Sequence, residues 1–131
     1  MNEDVRTLVR YRLEQAQDAL EEAGILLAQH KPRGAMNRVY YAMFYAVVAL
    51  LASKGLTSRK HTGAISLFHQ QFVKTGLFPA DLAGFVDDAF DQRNESDYVD
   101  FAAMAETEVA DLLANAGRFV GKARELLAVP E

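Results

Sequence analysis

Hydrophobic residues recur at intervals of three and four positions along most of this chain. In the first thirty residues they form one stripe, made up of Val5, Val9, Leu13, Ala16, Leu20, Ala23 and Leu27. This spacing places apolar side chains on one face of an α-helix. The stripe predicts a long first helix that ends near His30, because the Lys31-Pro32 pair does not continue a helix.

The second segment is apolar around most of its circumference, which is typical of a helix in the middle of a bundle. It begins just after Pro32, and its hydrophobic positions are Met36, Val39, Tyr40, Met43, Phe44, Val47, Leu50 and Leu51. Gly55 is expected just past the end of this helix, where glycine readily adopts a left-handed backbone. Thr57 or Ser58 is expected to be the N-cap of the next helix. The most apolar run, 39–52, is shorter than the ~20 residues of a membrane span, which favours a buried helix.

The rest of the chain predicts three more helices. A short third helix stops at Gly76, and a fourth follows Pro79. Polar residues 92–97 predict a turn into the last helix, which Pro130 ends. No stretch alternates as a strand does, and no linker divides the sequence. We therefore expect residues 1–131 to form one all-α domain, an up-and-down antiparallel bundle of four to five helices.

Composition excludes some chemistry. The sequence has no cysteine, which rules out disulfides, thiolate metal sites and cysteine nucleophiles. Its first fifteen residues carry charges throughout and lack the apolar core of a signal peptide. We expect a soluble, cytoplasmic protein that does not enter a membrane.

Charge is segregated along the chain. Residues 23–80 contain no Asp or Glu but carry seven Lys or Arg and all three histidines. Residues 81–111 carry ten acidic residues and a single cation, Arg93. Such asymmetry indicates either a basic surface for an anionic ligand or two complementary faces that meet within the fold or across a dimer.

The familiar catalytic and metal-binding motifs are absent from the sequence. It has no glycine-rich phosphate loop, no His-Glu-x-x-His pair and no Gly-x-Ser-x-Gly elbow. His61 and His69 are two helical turns apart, too far to share a metal on their own. Asp87 and Asp91 can share a hard cation or form a solvated helix face. We expect neither a metal nor a cofactor.

Polar groups interrupt the apolar second helix. Asn37 and Tyr41 are four residues apart and face the same way, with Arg38 beside them. If that face is buried, these groups need partners. The helix also carries an aromatic strip, made up of Tyr40, Tyr41, Phe44 and Tyr45. These aromatic rings either stack nucleic-acid bases beside Arg38 or belong to the core.

Arg93 stands out because it is the one cation among the acids of residues 81–111. A guanidinium offers a planar fork that matches phosphate or carboxylate. Arg93 can therefore bind a ligand's phosphate, or pair within the fold with Asp97, Asp100 or a residue of the second helix. Composition favours neither reading.

Several short strings, in this order and spacing, resemble the HEPN family (higher eukaryotes and prokaryotes nucleotide-binding). They are Asn37-Arg38-Val39-Tyr40-Tyr41-Ala42-Met43-Phe44, Ser53-Lys54-Gly55-Leu56, Lys60-His61-Thr62-Gly63, Phe72-Val73-Lys74-Thr75-Gly76 and Arg93-x-x-x-Asp97-Tyr98. The resemblance implies a helical bundle that commonly dimerises. It also implies a partner, a minimal nucleotidyltransferase from a neighbouring gene, in many cases as a toxin and antitoxin.

The toxic members of this family are metal-independent ribonucleases that use an arginine followed four to six residues later by a histidine. Arg93 matches that arginine, but Tyr98 stands five residues on and no histidine follows His69. A tyrosine with a pKa near 10 is a poor base at neutral pH, so His61 would have to replace it. The tyrosine that some partner transferases modify corresponds to Asp100, which leaves Tyr98 as a substitute target.

The sequence thus predicts a homodimeric HEPN protein that pairs with a nucleotidyltransferase and binds a nucleotide or RNA phosphate, with no DNA expected. The candidate ligand-binding residues are Arg93, Asp97, Tyr98, Asn37, Arg38, Tyr41, Lys60 and His61. Arg93 and Tyr98 are also the candidate catalytic residues. The alternatives are a ribonuclease toxin with a degenerate motif and a purely structural module in which Arg93 forms an internal salt bridge.

Overall fold

The computed structural model describes residues 1–98 and 105–128, with side chains described in 1–93 and 105–128. The helices are α1 (Glu3–Ala28), α2 (Pro32–Ser53), α3 (His61–Phe68), α4 (Ala80–Tyr98) and α5 (Glu106–Leu127), with a π-helical segment (His69–Val73) directly after α3. Within these residues there is no β-strand. The predicted all-α bundle is confirmed.

Helix α1 ends where its sequence predicts, and an asparagine caps its start. The Asn2 side chain accepts a hydrogen bond from the Val5 amide at 2.8 Å, and Glu3 and Asp4 place negative charge at the positive end of the helix dipole. The chain leaves the helix through His30, whose φ is +59°. One face is buried, comprising Val9, Leu13, Ala16, Ala19 and Ala23.

Helix α2 lies at the centre of the bundle and packs against α1, α3, α4 and α5. Pro32 occupies its first turn, and Gly55 just beyond its end is left-handed with φ +71°, as predicted. By length and composition α2 is also long and apolar enough to cross a membrane, but 72% of its most apolar 18-residue stretch is buried inside the protein. Burial among four other helices accounts for its composition.

Contacts near helix ends show the relative directions of α1, α2 and α5. Arg38 near the start of α2 reaches Glu22 near the end of α1. Arg124 near the end of α5 donates to the Leu13 carbonyl of α1, while Glu106 at the start of α5 meets His30. Helices α1 and α2 are therefore antiparallel, and so are α1 and α5.

The start of α3 differs from the prediction. Lys60 is the N-cap and makes no side-chain capping bond, so the expectation that Thr57 or Ser58 caps this helix is wrong. The Ser58 hydroxyl instead donates to the Lys60 carbonyl at 3.2 Å and stabilises the loop before the helix. With Lys60 as the N-cap, His61 is the first residue of α3.

The predicted turn at 92–97 is also wrong, because α4 continues to Tyr98. The segment contains no Gly or Pro to end a helix, and Gln92, Arg93 and Glu95 are good helix formers. Polar composition alone does not end a helix, because polar side chains are compatible with both a helix and a turn. Arg93 therefore projects from a helix that packs against α2.

Candidate functional site

Arg93 packs against the aromatic rings of α2. Its guanidinium carbon lies 5.1 Å from the centre of the Tyr40 ring and 5.3 Å from that of Tyr41, which is cation–π geometry. Its Nε is buried and makes no hydrogen bond within the described residues. The second-helix pairing considered for Arg93 is thus present, with ring faces rather than a carboxylate as the partners.

Tyr40 joins α2 to α3. Its ring is fully buried, and its hydroxyl lies 2.9 Å from Nδ1 of His61. Burial raises the pKa of the Tyr40 phenol well above its usual value; the nearby Arg93 charge opposes this change and Tyr41 adds to it. The phenol is therefore protonated throughout the physiological pH range, and serves His61 as a neutral hydrogen-bonding partner.

His61 lies in an aromatic setting at the start of α3. Its ring stacks on Phe44 with 4.0 Å between centres and meets the Tyr41 ring edge-on at 5.6 Å. Burial, and then the positive charge of Arg93, lower the pKa of His61 below its usual value. The imidazole is therefore neutral at neutral pH, and its Nε2 makes no hydrogen bond within the part of the chain that the structure describes.

Arg38 contacts one of the same two rings, that of Tyr41. Its guanidinium carbon is 5.0 Å from the centre of the Tyr41 ring, and its side chain donates to Asn37 Oδ1 at 3.1 Å and to Glu22 at 3.4 Å. Tyr41 thus contacts two guanidinium groups, those of Arg38 and Arg93. We call Tyr40, Tyr41, His61 and Arg93 the Arg93 cluster, with Arg38 and Asn37 at its edge.

The remaining predicted site residues lie near this cluster or outside the described side chains. Lys60 is exposed and directly precedes His61 at the uncapped start of α3. Asp97 and Tyr98 occupy the last turn of α4, about one turn beyond Arg93, and their side chains lie outside the described residues. Asp100 lies outside them entirely.

Three residues of the site were not on the predicted list. Tyr40 and Phe44 were assigned only to an aromatic strip, because their spacing is equally typical of a buried helix face. Glu22, the partner of Arg38, comes from α1, sixteen residues earlier in the chain. Only packing of α1 on α2 brings that pair together.

Residues of the basic and acidic stretches meet at two points within the chain. His69 of the basic stretch pairs with Asp87 at 2.9 Å, and His30 pairs with Glu106 at 3.1 Å. Asp87 is therefore engaged by a histidine, and no His, Asp or Glu group of metal-binding size forms among the described residues. The acids on α4 and α5 instead line a shallow groove of about 490 Å³, formed by Asp88, Asp91, Gln92, Glu108, Asp111 and Leu112.

The Arg93 cluster thus combines a permanent cation, a neutral imidazole and a protonated phenol on a wall of aromatic rings. The N–H bonds of a guanidinium lie in its plane and point outward. When the group packs against aromatic rings, these N–H groups can still donate to phosphate or carboxylate oxygens. A neutral imidazole beside it can accept a proton. The arrangement suits the binding of a phosphate-bearing ligand.

Comparison with known proteins places this chain in a family. A family model described as the HEPN domain matches residues 9–126. A protein of Thermotoga maritima named UPF0332 protein is 35% identical over 127 residues, which cover 97% of this chain and 96% of that protein.

Two similar proteins come from Methanocaldococcus jannaschii, and each carries the name "putative toxin". One is 32% identical over 116 residues, covering 88% of this chain and 78% of the relative. The other is 30% identical over 127 residues, covering 97% and 94% respectively. Together with the family model, these similarities over nearly the whole chain show that the protein belongs to the HEPN family.

Proposed function

We propose that this protein is a toxin-like HEPN protein whose Arg93 cluster binds the phosphate of a nucleotide or of single-stranded RNA. We further propose that it acts as a homodimer and as the partner of a minimal nucleotidyltransferase from a neighbouring gene. The names of two relatives support the toxin-like character. Family membership supports the dimer and the partner.

The state of Arg93 is the observation that carries the phosphate site. Its Nε is buried without a hydrogen-bond partner, and no described carboxylate lies within 4 Å of its guanidinium. Arg12 also has an unpaired Nε, but its NH1 donates to Gln15 at 2.8 Å. Contacts with aromatic rings do not satisfy N–H donors, and an unsatisfied donor on a charged group is costly. A phosphate can accept two parallel hydrogen bonds from the terminal N–H groups of Arg93.

The aromatic residues beside Arg93 favour a nucleotide over free phosphate. Tyr41 and Tyr45 are partly exposed, and their ring centres are 5.7 Å apart along α2. Unpaired bases stack on such rings, and Arg38 supplies further positive charge. Bases within a duplex are already stacked, so we propose single-stranded RNA or a free nucleotide as the ligand.

Replacement of Arg93 tests the phosphate site. We expect Arg93→Ala to weaken binding of a labelled single-stranded RNA by about 10- to 100-fold, the equivalent of one or two hydrogen bonds to a charged group. Fluorescence anisotropy at several salt concentrations measures the affinity, and the salt slope should fall because a phosphate contact is lost. Arg93→Lys should bind between the two, since it keeps the charge but loses the fork.

Arg118→Ala is the matched control, because Arg118 lies over Phe85, about two turns of α4 away from Arg93. It should bind RNA like the wild type, and circular dichroism should show equal helicity in all variants. If the Arg93→Ala and wild-type proteins bind RNA with equal affinity, Arg93 does not bind the RNA phosphate and the proposed site is wrong.

The proposed assembly has a separate test. Light scattering of the purified protein should give the mass of two chains. Co-expression with the neighbouring gene should yield a complex, and intact-mass measurement of this chain shows whether nucleotide units have been added to it. A monomer that co-purifies with no transferase contradicts this part of the proposal without affecting the phosphate site.

A further inference from the structure

We infer that Arg38 forms a second phosphate subsite, which the carboxylate of Glu22 occupies until a ligand with two phosphate groups displaces it. The inference rests on the proposed binding of a first phosphate by Arg93. It adds to that proposal the number of phosphates on the ligand and a carboxylate of α1 that competes with the ligand.

Arg38 and Arg93 contact the same aromatic ring from different helices. The guanidinium carbon of Arg38 in α2 lies 5.0 Å from the centre of the Tyr41 ring, and that of Arg93 in α4 lies 5.3 Å from it. The two cations are therefore no more than about 10 Å apart. Two phosphate groups of one ligand, each with an oxygen about 3 Å from a guanidinium nitrogen, can bridge such a span.

The Arg38 side chain has contacts that do not depend on Glu22. Its Nη2 donates to Asn37 Oδ1 at 3.1 Å, and its guanidinium packs against the Tyr41 ring. A different nitrogen, Nη1, donates to Glu22 Oε1. When the Glu22 carboxylate leaves, Nη1 can donate to a phosphate oxygen while the other contacts keep the guanidinium in position. A subsite organised in this way before binding costs the ligand little ordering entropy.

The contact between Glu22 and Arg38 is suited to exchange. Its N–O distance is 3.4 Å, longer than the roughly 2.8 Å of a strong charge-assisted hydrogen bond. The Glu22 side chain is 54% exposed, and exposed ion pairs contribute little to stability. A terminal phosphate carries more negative charge than a carboxylate and has three strong acceptor oxygens. It can therefore displace Glu22 from Arg38.

The charges around Tyr41 are unbalanced in the free protein. Two guanidinium groups contact this ring, but Glu22 is the one described carboxylate that pairs with either of them. A ligand with a single phosphate compensates Arg93 and leaves Glu22 on Arg38. A ligand with a second phosphate replaces that carboxylate with a stronger partner, so the site should prefer two phosphates over one.

Competition between small nucleotides and a labelled single-stranded RNA tests this preference by fluorescence anisotropy. AMP carries one phosphate, ADP carries two that are directly linked, and adenosine 3′,5′-bisphosphate carries one on each side of its sugar. We expect ADP or the bisphosphate to bind the wild type about 10-fold more tightly than AMP, because hydrogen bonds to a charged group are added. Preference for ADP identifies a nucleoside diphosphate as the ligand, and preference for the bisphosphate identifies a nucleotide chain.

Substitutions of Arg38 and Glu22 should change the affinity for the preferred nucleotide in opposite directions. Arg38→Gln should weaken its binding by about 10-fold and should weaken AMP binding far less. Glu22→Gln should strengthen its binding by about 2- to 5-fold, because the second phosphate no longer displaces a charged partner. The double variant should show no such gain, since Glu22 acts through Arg38.

Glu21→Gln is the matched control for Glu22→Gln. It removes the same charge from the neighbouring position of α1, and Glu21 makes no described contact with Arg38. In about 150 mM salt, exposed charges beyond direct contact are largely screened. Glu21→Gln should therefore bind all three nucleotides like the wild type, and circular dichroism should show equal helicity in every variant.

The outcomes separate this inference from the proposed function. If neither two-phosphate nucleotide binds more tightly than AMP, or if Arg38→Gln weakens all three nucleotides equally, the second subsite is refuted and the Arg93 site stands. Equal effects of Glu22→Gln and Glu21→Gln would refute competition by Glu22. The proposed function fails on a different result, an unchanged RNA affinity of Arg93→Ala.

Discussion

Tyr40 shows how one side chain connects the parts of this site. Its ring is fully buried, receives the guanidinium of Arg93 on its face, and presents its hydroxyl to His61. A phenylalanine would fill the same space but would leave Nδ1 of His61 without this partner. The Tyr40–His61 hydrogen bond therefore links α2 to the first residue of α3.

The lowered pKa of His61 predicts how stability depends on pH. The unfolded chain binds a proton at His61 near pH 6.5, whereas the folded protein binds it only at lower pH. The stabilising contribution is therefore fully present above about pH 6.5 and is lost as pH falls toward the lowered folded value. We expect the wild type to lose stability relative to His61→Asn between about pH 7.5 and 5.

Urea unfolding of both proteins at several pH values measures this difference. Comparing the two proteins cancels the contributions of His30 and His69, which both retain. A constant difference between wild type and variant across this range would show that folding leaves the pKa of His61 unchanged.

At the scale of elements, the loop between α2 and α3 determines where His61 lies. Gly55 begins this loop with a left-handed backbone, and its amide donates to the Ala52 carbonyl at 2.9 Å. Lys54 also holds the far end of the α3 region, because its Nζ donates to the Gln71 carbonyl within the π-helical segment. These contacts place the start of α3 beside the aromatic strip of α2.

Two glycine substitutions should therefore change stability in opposite directions. Gly55→Ala forces an alanine into a left-handed conformation and should cost about 1 kcal/mol. Gly121→Ala lies within α5, where a Cβ meets no atom within 4 Å, and should stabilise by about 0.5–1 kcal/mol. Chemical denaturation of both variants measures the two effects, and stabilisation by Gly55→Ala would contradict the role of the loop glycine.

At the scale of the whole molecule, a second aromatic group ties α3 and its following loop to α5. The Phe119 ring of α5 lies 5.7 Å from the Phe68 ring of α3 and 4.8 Å from the Phe78 ring just before α4. All three side chains are fully buried. This packing holds α3, whose first residue is His61, onto the long helix α5.

Truncation of this group should weaken the whole fold. We expect Phe119→Ala to cost about 3–5 kcal/mol, the usual penalty for emptying a buried aromatic position. Exposed Leu126 on the same helix is the control, and Leu126→Ala should change stability by less than about 0.5 kcal/mol. Far- and near-ultraviolet circular dichroism should report one coincident transition; separate transitions would mean that α3 unfolds independently.

The sequence by itself determined the helices and most of their ends. A three-and-four spacing of apolar residues, Pro32, Gly55 and Pro79 act through local geometry, so they can be interpreted without knowledge of the fold. The same local rules failed at residues 92–97, where a polar helix end was interpreted as a turn. Polar composition is compatible with both a helix and a loop, so it does not distinguish the two.

Only the tertiary structure decided which residues form the candidate site. Arg93 was conspicuous in the sequence as a lone cation, but its contacts with Tyr40 and Tyr41 depend on the packing of α4 on α2. The proximity of His61 depends on a loop and on a hydrogen bond to a residue twenty-one positions earlier. Interactions between distant segments arise from packing of whole helices, and hydrophobic spacing within one segment carries no information about them.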